Sequence, residues 1–144
     1  MTDKQAAAKE WLNRNEPLRD EIRAMELRIA EMRAAVNNVV TVPKEVSVQT
    51  QPKNIQAEKI AEICDFDNKI KAKRLRFEML QNKTTKTIDQ LNDPVKGMIL
   101  MYRYIYRRSW RYIADKMHYK ESYIYEMHLK ALTAIYTFID WAGD

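Results

Sequence analysis

Residues 110–129, WRYIADKMHYKESYIYEMHL, govern how the rest of the chain is read. Their apolar residues do not follow one continuous helical stripe: Ile113, Ala114 and Met117 form a short run, Tyr119 stands alone, and Ile124 and Met127 begin another. Two helices meeting at a tight turn account for that spacing. In a helix-turn-helix a small residue lets the helices approach, and apolar positions on either side lock the second helix across the first. Ala114 takes the small position, and Ile113, Met117, Tyr119, Ile124 and Met127 take the apolar ones. The turn falls on His118, Tyr119 and Lys120. The last helix is expected from about Glu121 to Ile139 or Trp141, ending at Gly143.

Immediately upstream, Asp93 can accept hydrogen bonds from the free N–H groups of a new helix, and Pro94 suits its first position. A helix from Pro94 to about Tyr106 follows, with Ile99, Leu100, Tyr102 and Ile105 available to pack on the motif. Arg107 and Arg108 end it, and Ser109 is a good cap for a helix over Trp110–Met117.

The N-terminal part has a different rhythm. Leu18, Ile22, Met25, Ile29, Met32 and Val36 recur at alternating spacings of four and three, a heptad seam on a helix expected over about 5–36. Trp11 lies one heptad before Leu18, and Pro17 either starts the helix or kinks it. Residues 1–36 carry seven Lys or Arg and seven Asp or Glu, the signature of a solvated helix surface. Asn37, Asn38, Pro43 and Pro52 then break the pattern, so 37–54 reads as a flexible linker; a strand over Val39–Val48 is the alternative, and a lone hairpin would be marginal. Periodicity resumes over 55–92: Ile63, Ile70, Phe77, Thr84 and Leu91 are seven apart, with Phe66, Leu80 and Ile88 near the complementary positions. Two such helices fold back as an antiparallel hairpin or pair between subunits as a coiled coil. The cluster Lys69, Lys71, Lys73, Arg74 and Arg76 is interrupted by Ile70 and Leu75 at core spacing and reads as a solvated face. Cys64, beside Ile63, reads as a small buried hydrophobe. The fold class is therefore all-α, with 1–92 forming long amphipathic helices and 93–144 a trihelical helix-turn-helix module.

Composition agrees and excludes several functions. The chain has 144 residues, 46% of them hydrophobic, and only two Gly and four Pro, which favours helix over sheet. One cysteine precludes an intramolecular disulfide and a cysteine-based metal site, which fits a reducing cytoplasm. Neither a signal core nor an apolar run near the ~20 residues of a membrane span is present, so a cytoplasmic protein without a membrane partner is expected. A glycine-rich phosphate loop, a Cys/His metal set and a nucleophile with its base are all missing, and Asp65 and Asp67, two apart, do not share a helix face. Neither an enzyme nor a cofactor is expected. The net charge of +5 suits a polyanionic partner.

The second helix of such a motif lies in the DNA major groove with its N-terminal residues at base edges. The outward set here is Lys120, Glu121, Ser122, Tyr123, Tyr125 and Glu126. Lys donates to guanine, Glu accepts from cytosine, Ser does either, and Tyr rings meet thymine methyls. Arg103, Arg107, Arg108, Arg111, Lys116 and Lys130 surround this set as candidate phosphate contacts. Glu121 and Glu126 oppose nonspecific attraction. His128, beside the packing face, reads as a structural histidine. His118 occupies the turn position where glycine is usual, and Lys120 replaces the usual Ser or Thr cap.

Arg103-Tyr104-Ile105, Ser109-Trp110 with Ile113-Ala114, Met117, Tyr119, and His128 with Lys130-Ala131-Leu132 resemble the C-terminal half of phage-encoded late transcription regulators of the ArpU/RinA-like group. Their helix-turn-helix resembles region 4 of sigma-70 factors. The two-helix layout of residues 1–92 is also similar, although only the last 50 residues or so carry specific motifs. The resemblance implies transcription regulation through double-stranded DNA at late-gene promoters of a phage or prophage, in a bacterial host cell. RNA polymerase is a candidate second partner, and the long helices are candidates for self-association. The residues also fit two alternatives: a small terminase-type DNA-packaging protein, and a helical interaction module that does not bind DNA.

Overall fold

The computed structural model describes residues 1–40 and 52–144, with side chains for 1–38 and 55–144. Among these residues every regular element is a helix: α1 (Asp3–Leu12), α2 (Glu16–Val40), α3 (Pro52–Asp89), α4 (Pro94–Leu100), a π segment (Met101–Ile105), α5 (Trp110–Met117) and α6 (Glu121–Tyr136). None is long and apolar enough to cross a membrane. The chain divides into two compact units, one of residues 1–16 with 78–144, the other of residues 17–77.

The first unit departs from the sequence reading at its start. The helix expected over 5–36 is two helices, because Asn13, Arg14 and Asn15 form a turn in which Glu16 N–H donates to the Asn13 carbonyl at 3.0 Å. Pro17 sits in the first turn of α2, where its missing N–H costs no hydrogen bond. Thr2 and Gln5 close a reciprocal capping box on α1. Trp11 does not extend the heptad seam. With Ala8 and Leu12 it packs into a core with Ile88, Leu100, Tyr104, Ala131, Leu132 and Ile135. The compact units thus do not follow a division at residue 92: α1 and the end of α3 belong with the C-terminal helices.

Arg14 ties this unit together. Its guanidinium lies 3.8 Å from the Trp11 ring centroid, donates to Thr84 Oγ1 at 2.9 Å and pairs with Asp144. Gln5 Nε2 reaches the Leu129 carbonyl and Thr133 Oγ1, both at 3.1 Å, binding α1 to α6 by polar contacts as well.

In the second unit α2 and α3 are joined by ion pairs and by cations over aromatic rings. Glu21 meets Lys73 at 2.8 Å, Glu26 meets Arg74 at 2.7 Å and Arg33 meets Asp67 at 3.7 Å. Arg19 lies over Phe77 and Arg28 over Phe66. Ile22, Ile29, Val36 and Ile70 are buried at the seam positions. Three of the five cations in the 69–76 cluster therefore sit in ion pairs, Lys71 with Asp67 at 3.0 Å being the third. Lys71 and, behind it, Arg33 and Arg74 hold the Asp67 carboxyl below its ordinary value. Cys64 is exposed, correcting the buried reading: it follows the seam residue Ile63 by one position and so points away from the partner helix. Asn37–Val40 continue α2, so the expected linker is shorter at that end, and Pro52 to Asn54 belong to α3. Most of the strand alternative, 41–48, lies outside the described residues.

Candidate nucleic-acid interface

Local chemistry sets the C-terminal helices. Asp93 accepts from Lys96 N–H at 3.2 Å with Pro94 behind it, and Ser109 Oγ accepts from Tyr112 N–H at 3.1 Å, so α4 and α5 start at the capping residues expected for them. The helix after Pro94 is α-helical only to Leu100. Over Met101–Ile105 it loosens into a π turn, closed by Tyr106 N–H donating to the Met101 carbonyl at 2.9 Å.

Between α5 and α6 the turn is closed by His118 in the left-handed region, φ 61° and ψ 41°. Tyr119 N–H returns to the Ala114 carbonyl at 3.1 Å, the six-residue ring of a Schellman ending. A side chain where glycine is usual thus still permits the tight turn. Lys120 begins α6 without a side-chain cap, leaving the first N–H groups of that helix free at the surface. Ile113, Ala114 and Ile124 are buried together with Ile99, and Met117 and Met127 pack at their edge. Burying two isoleucines in full stabilises this junction by about 4 kcal/mol. Tyr119 is not among the packing residues. It is 43% exposed, and its ring pairs with Tyr123 at 4.7 Å on the surface, because the return of the chain after His118 turns it outward. α6 ends at Tyr136, short of the expected Ile139 or Trp141.

The six residues read as base-facing, Lys120, Glu121, Ser122, Tyr123, Tyr125 and Glu126, are all exposed along the first turns of α6. Tyr125 is also braced. Its ring stands edge-on to Trp110 at 5.4 Å, and Trp110 carries the Arg103 guanidinium at 4.3 Å. Glu126 is 3.8 Å from Lys130, so part of its charge is offset within the helix.

The candidate phosphate contacts separate into two groups. Arg108, Arg111, Lys116 and Lys130 are exposed, Arg108 and Lys116 flanking the Tyr112 ring at 5.1 and 5.7 Å. Arg103 is partly engaged by Trp110 and by the Arg108 carbonyl, to which it donates at 3.1 Å. Arg107 belongs to the scaffold. It has φ 57°, pairs with Glu16 at 2.7 Å and donates to Asn13 Oδ1 at 2.7 Å, fastening the α1–α2 turn to the connection before α5. A side chain held by a carboxylate this closely is not available to a phosphate, and Arg107 is withdrawn from that set.

Behind the surface lies a buried aromatic pair. Tyr104 OH and His128 Nε2 are 2.6 Å apart, and their rings stack at 5.6 Å. Trp110 closes over His128 at 4.5 Å. Burial, reinforced by the positive charges of Lys9 and Arg103, pushes the His128 pKa down to about 4, so the ring is neutral near pH 7. Burial pushes the Tyr104 hydroxyl up. His128 Nδ1 has no partner among the described residues, and no group of three or more His, Cys, Asp or Glu there is placed to hold a metal ion. The helix pattern alone could not have shown the Tyr104–His128 bond, which spans 24 residues.

No protein-family model matches the chain, and neither a curated protein nor a solved structure matches it.

Proposed function

We propose that the chain binds double-stranded DNA through a helix-turn-helix formed by α5, the His118–Lys120 turn and α6, and regulates transcription at late-gene promoters of a phage or prophage. One observation carries this reading: α6 is anchored by Ile124 while the six residues of its first turns all face solvent. An uncapped helix start beside Lys120 adds free N–H groups that suit a phosphate. Arg108, Arg111, Lys116 and Lys130 supply cations around this face. The α2–α3 pair supplies the surface through which the protein self-associates or reaches a partner.

The test is fluorescence anisotropy with duplexes taken from upstream of the genes that neighbour its own. A Ser122→Ala/Tyr125→Ala variant should bind the preferred duplex at least about tenfold more weakly. Affinity should also fall with salt at a logarithmic slope of about −3 to −4, as for four neutralised phosphates. Equal binding of wild type and variant at moderate salt would overturn the proposal.

A further inference from the structure

A groove of 450 Å³ lies where the end of α3, the connection to α4, α4 itself and the π segment meet. It shares no residue with the α6 surface. Tyr102 and Tyr106 line it with ring centroids 6.2 Å apart and planes at 57°, together with Met98 and Met101. Met98 and Tyr106 are 45% and 56% exposed, so an apolar patch is open to solvent here. Asp89 and Asp93 also line the groove, and no Lys, Arg or His does. In a chain of net charge +5, this is a place where carboxylates alone are offered. Asp93 is engaged by Lys96, 3.6 Å away, whereas Asp89 is exposed and makes no ion pair among the described residues.

The backbone around the groove departs from regular geometry three times. Asn92 has φ 52°, Arg107 has φ 57°, and the π turn lies between them. Positive φ at residues other than glycine and π turns inside helices both concentrate where a chain is shaped around a ligand. Tyr and Met are the side chains that protein interfaces favour, Met because it adapts its shape to what it meets.

We propose that this groove docks a segment of a partner protein that presents a bulky apolar side chain next to an Arg or Lys. The apolar group fits against the two tyrosine rings and two methionines. The cation meets the free Asp89 carboxylate and a tyrosine face. The uncompensated Asp89 carboxylate repels a phosphate backbone, and the groove shares no residue with the α6 surface, so the groove is not an extension of the DNA surface. The inference does not rest on DNA binding and stands or falls separately from it.

The test follows the methyl NMR signals of Met98 and Met101 in the full chain during titration with acetyl-Leu-Arg-Leu-amide and acetyl-Leu-Glu-Leu-amide at millimolar concentrations. The arginine peptide should give saturable shifts and bind about fivefold more tightly than the glutamate peptide, as for one exposed ion pair. Asp89→Lys replaces that attraction with a repulsion and should weaken the arginine peptide about tenfold. Gly97→Leu extends a side chain from the groove wall, where a Cβ meets only Ile88 Cγ2 at 3.9 Å, and should abolish binding, with an undiminished urea midpoint showing that the variant is folded. The proposal is overturned by equal affinity for both peptides, by unchanged binding in either variant, or by no saturable shift. It is also overturned if a single-stranded oligonucleotide moves the same methyls at lower concentration.

Discussion

Acidification should destabilise the first unit through His128 alone before its carboxylates contribute. The ring is 1% exposed and its pKa falls from 6.5 to about 4 on folding. Above pH 6.5 neither state binds the proton, so the stability difference is constant. Between 6.5 and 4 the unfolded chain takes up a proton that the folded chain refuses, and stability falls as pH falls. At about 1.4 kcal/mol for each pH unit of that window, the full loss is about 3 kcal/mol, of which about 2.5 kcal/mol has occurred by pH 4.5. Trp11, Trp110 and Trp141 all belong to this unit, so urea unfolding followed by tryptophan fluorescence reads it directly. Unfolding free energies between pH 7.5 and 4.5 should decline by about 2.5 kcal/mol more in the wild type than in His128→Gln. His128→Gln cannot titrate and still offers Tyr104 a hydrogen-bond partner. Its decline over the same range should be under about 1 kcal/mol, and the remainder measures the carboxylates. Parallel pH profiles for the two proteins would refute the assignment of a neutral buried imidazole.

Three further changes have defined outcomes. Arg107→Ala should lower stability by about 1–2 kcal/mol through loss of the Glu16 and Asn13 contacts, with duplex-DNA affinity within about twofold of wild type, as urea unfolding and anisotropy would register. Gly97→Ala places a methyl where there is room in a helix interior and should stabilise the protein by about 0.5–1 kcal/mol, measured as a raised urea midpoint at unchanged slope. His118→Gly removes a side chain from the left-handed region and should raise the thermal midpoint by the equivalent of about 1 kcal/mol; a lowered midpoint would mean that the imidazole makes a stabilising contact.

What could be read from the residues was mostly local. Asp93 and Ser109 announce their helices because a cap acts within one turn, and His118 falls in the turn because the apolar spacing breaks there. The seam of α2 was equally plain, since Ile22, Ile29 and Val36 repeat at one period. Residues whose place a distant partner decides carry no such local signal. Trp11 lies one heptad before Leu18 by coincidence of spacing, and only the distant Ile88, Leu100, Tyr104 and α6 residues show where its ring is buried. Arg107 resembles its neighbour Arg108 in sequence, yet a carboxylate 91 positions earlier claims it. Tyr119 counts as apolar in any pattern, although its ring finds Tyr123 at the surface. Cys64 shows how one residue beside a seam reverses exposure. The π turn has no sequence punctuation, since Met101–Ile105 contains neither Gly nor Pro.

The contacts of α1 with α6 also bear on synthesis. Gln5 hydrogen-bonds residues 124 and 128 positions downstream, and the core around Ala8, Trp11 and Leu12 is completed only when Ala131, Leu132 and Ile135 of α6 exist. At about 5–20 residues per second, α1 leaves the ribosome several seconds to tens of seconds before its partner. During that interval α2 and α3 can pair, because all their mutual contacts are already in the chain. The core-facing side of α1, with Trp11 on it, meanwhile stays exposed. The chain therefore has a vectorial order in which the unit of residues 17–77 forms first and the unit of residues 1–16 with 78–144 forms last.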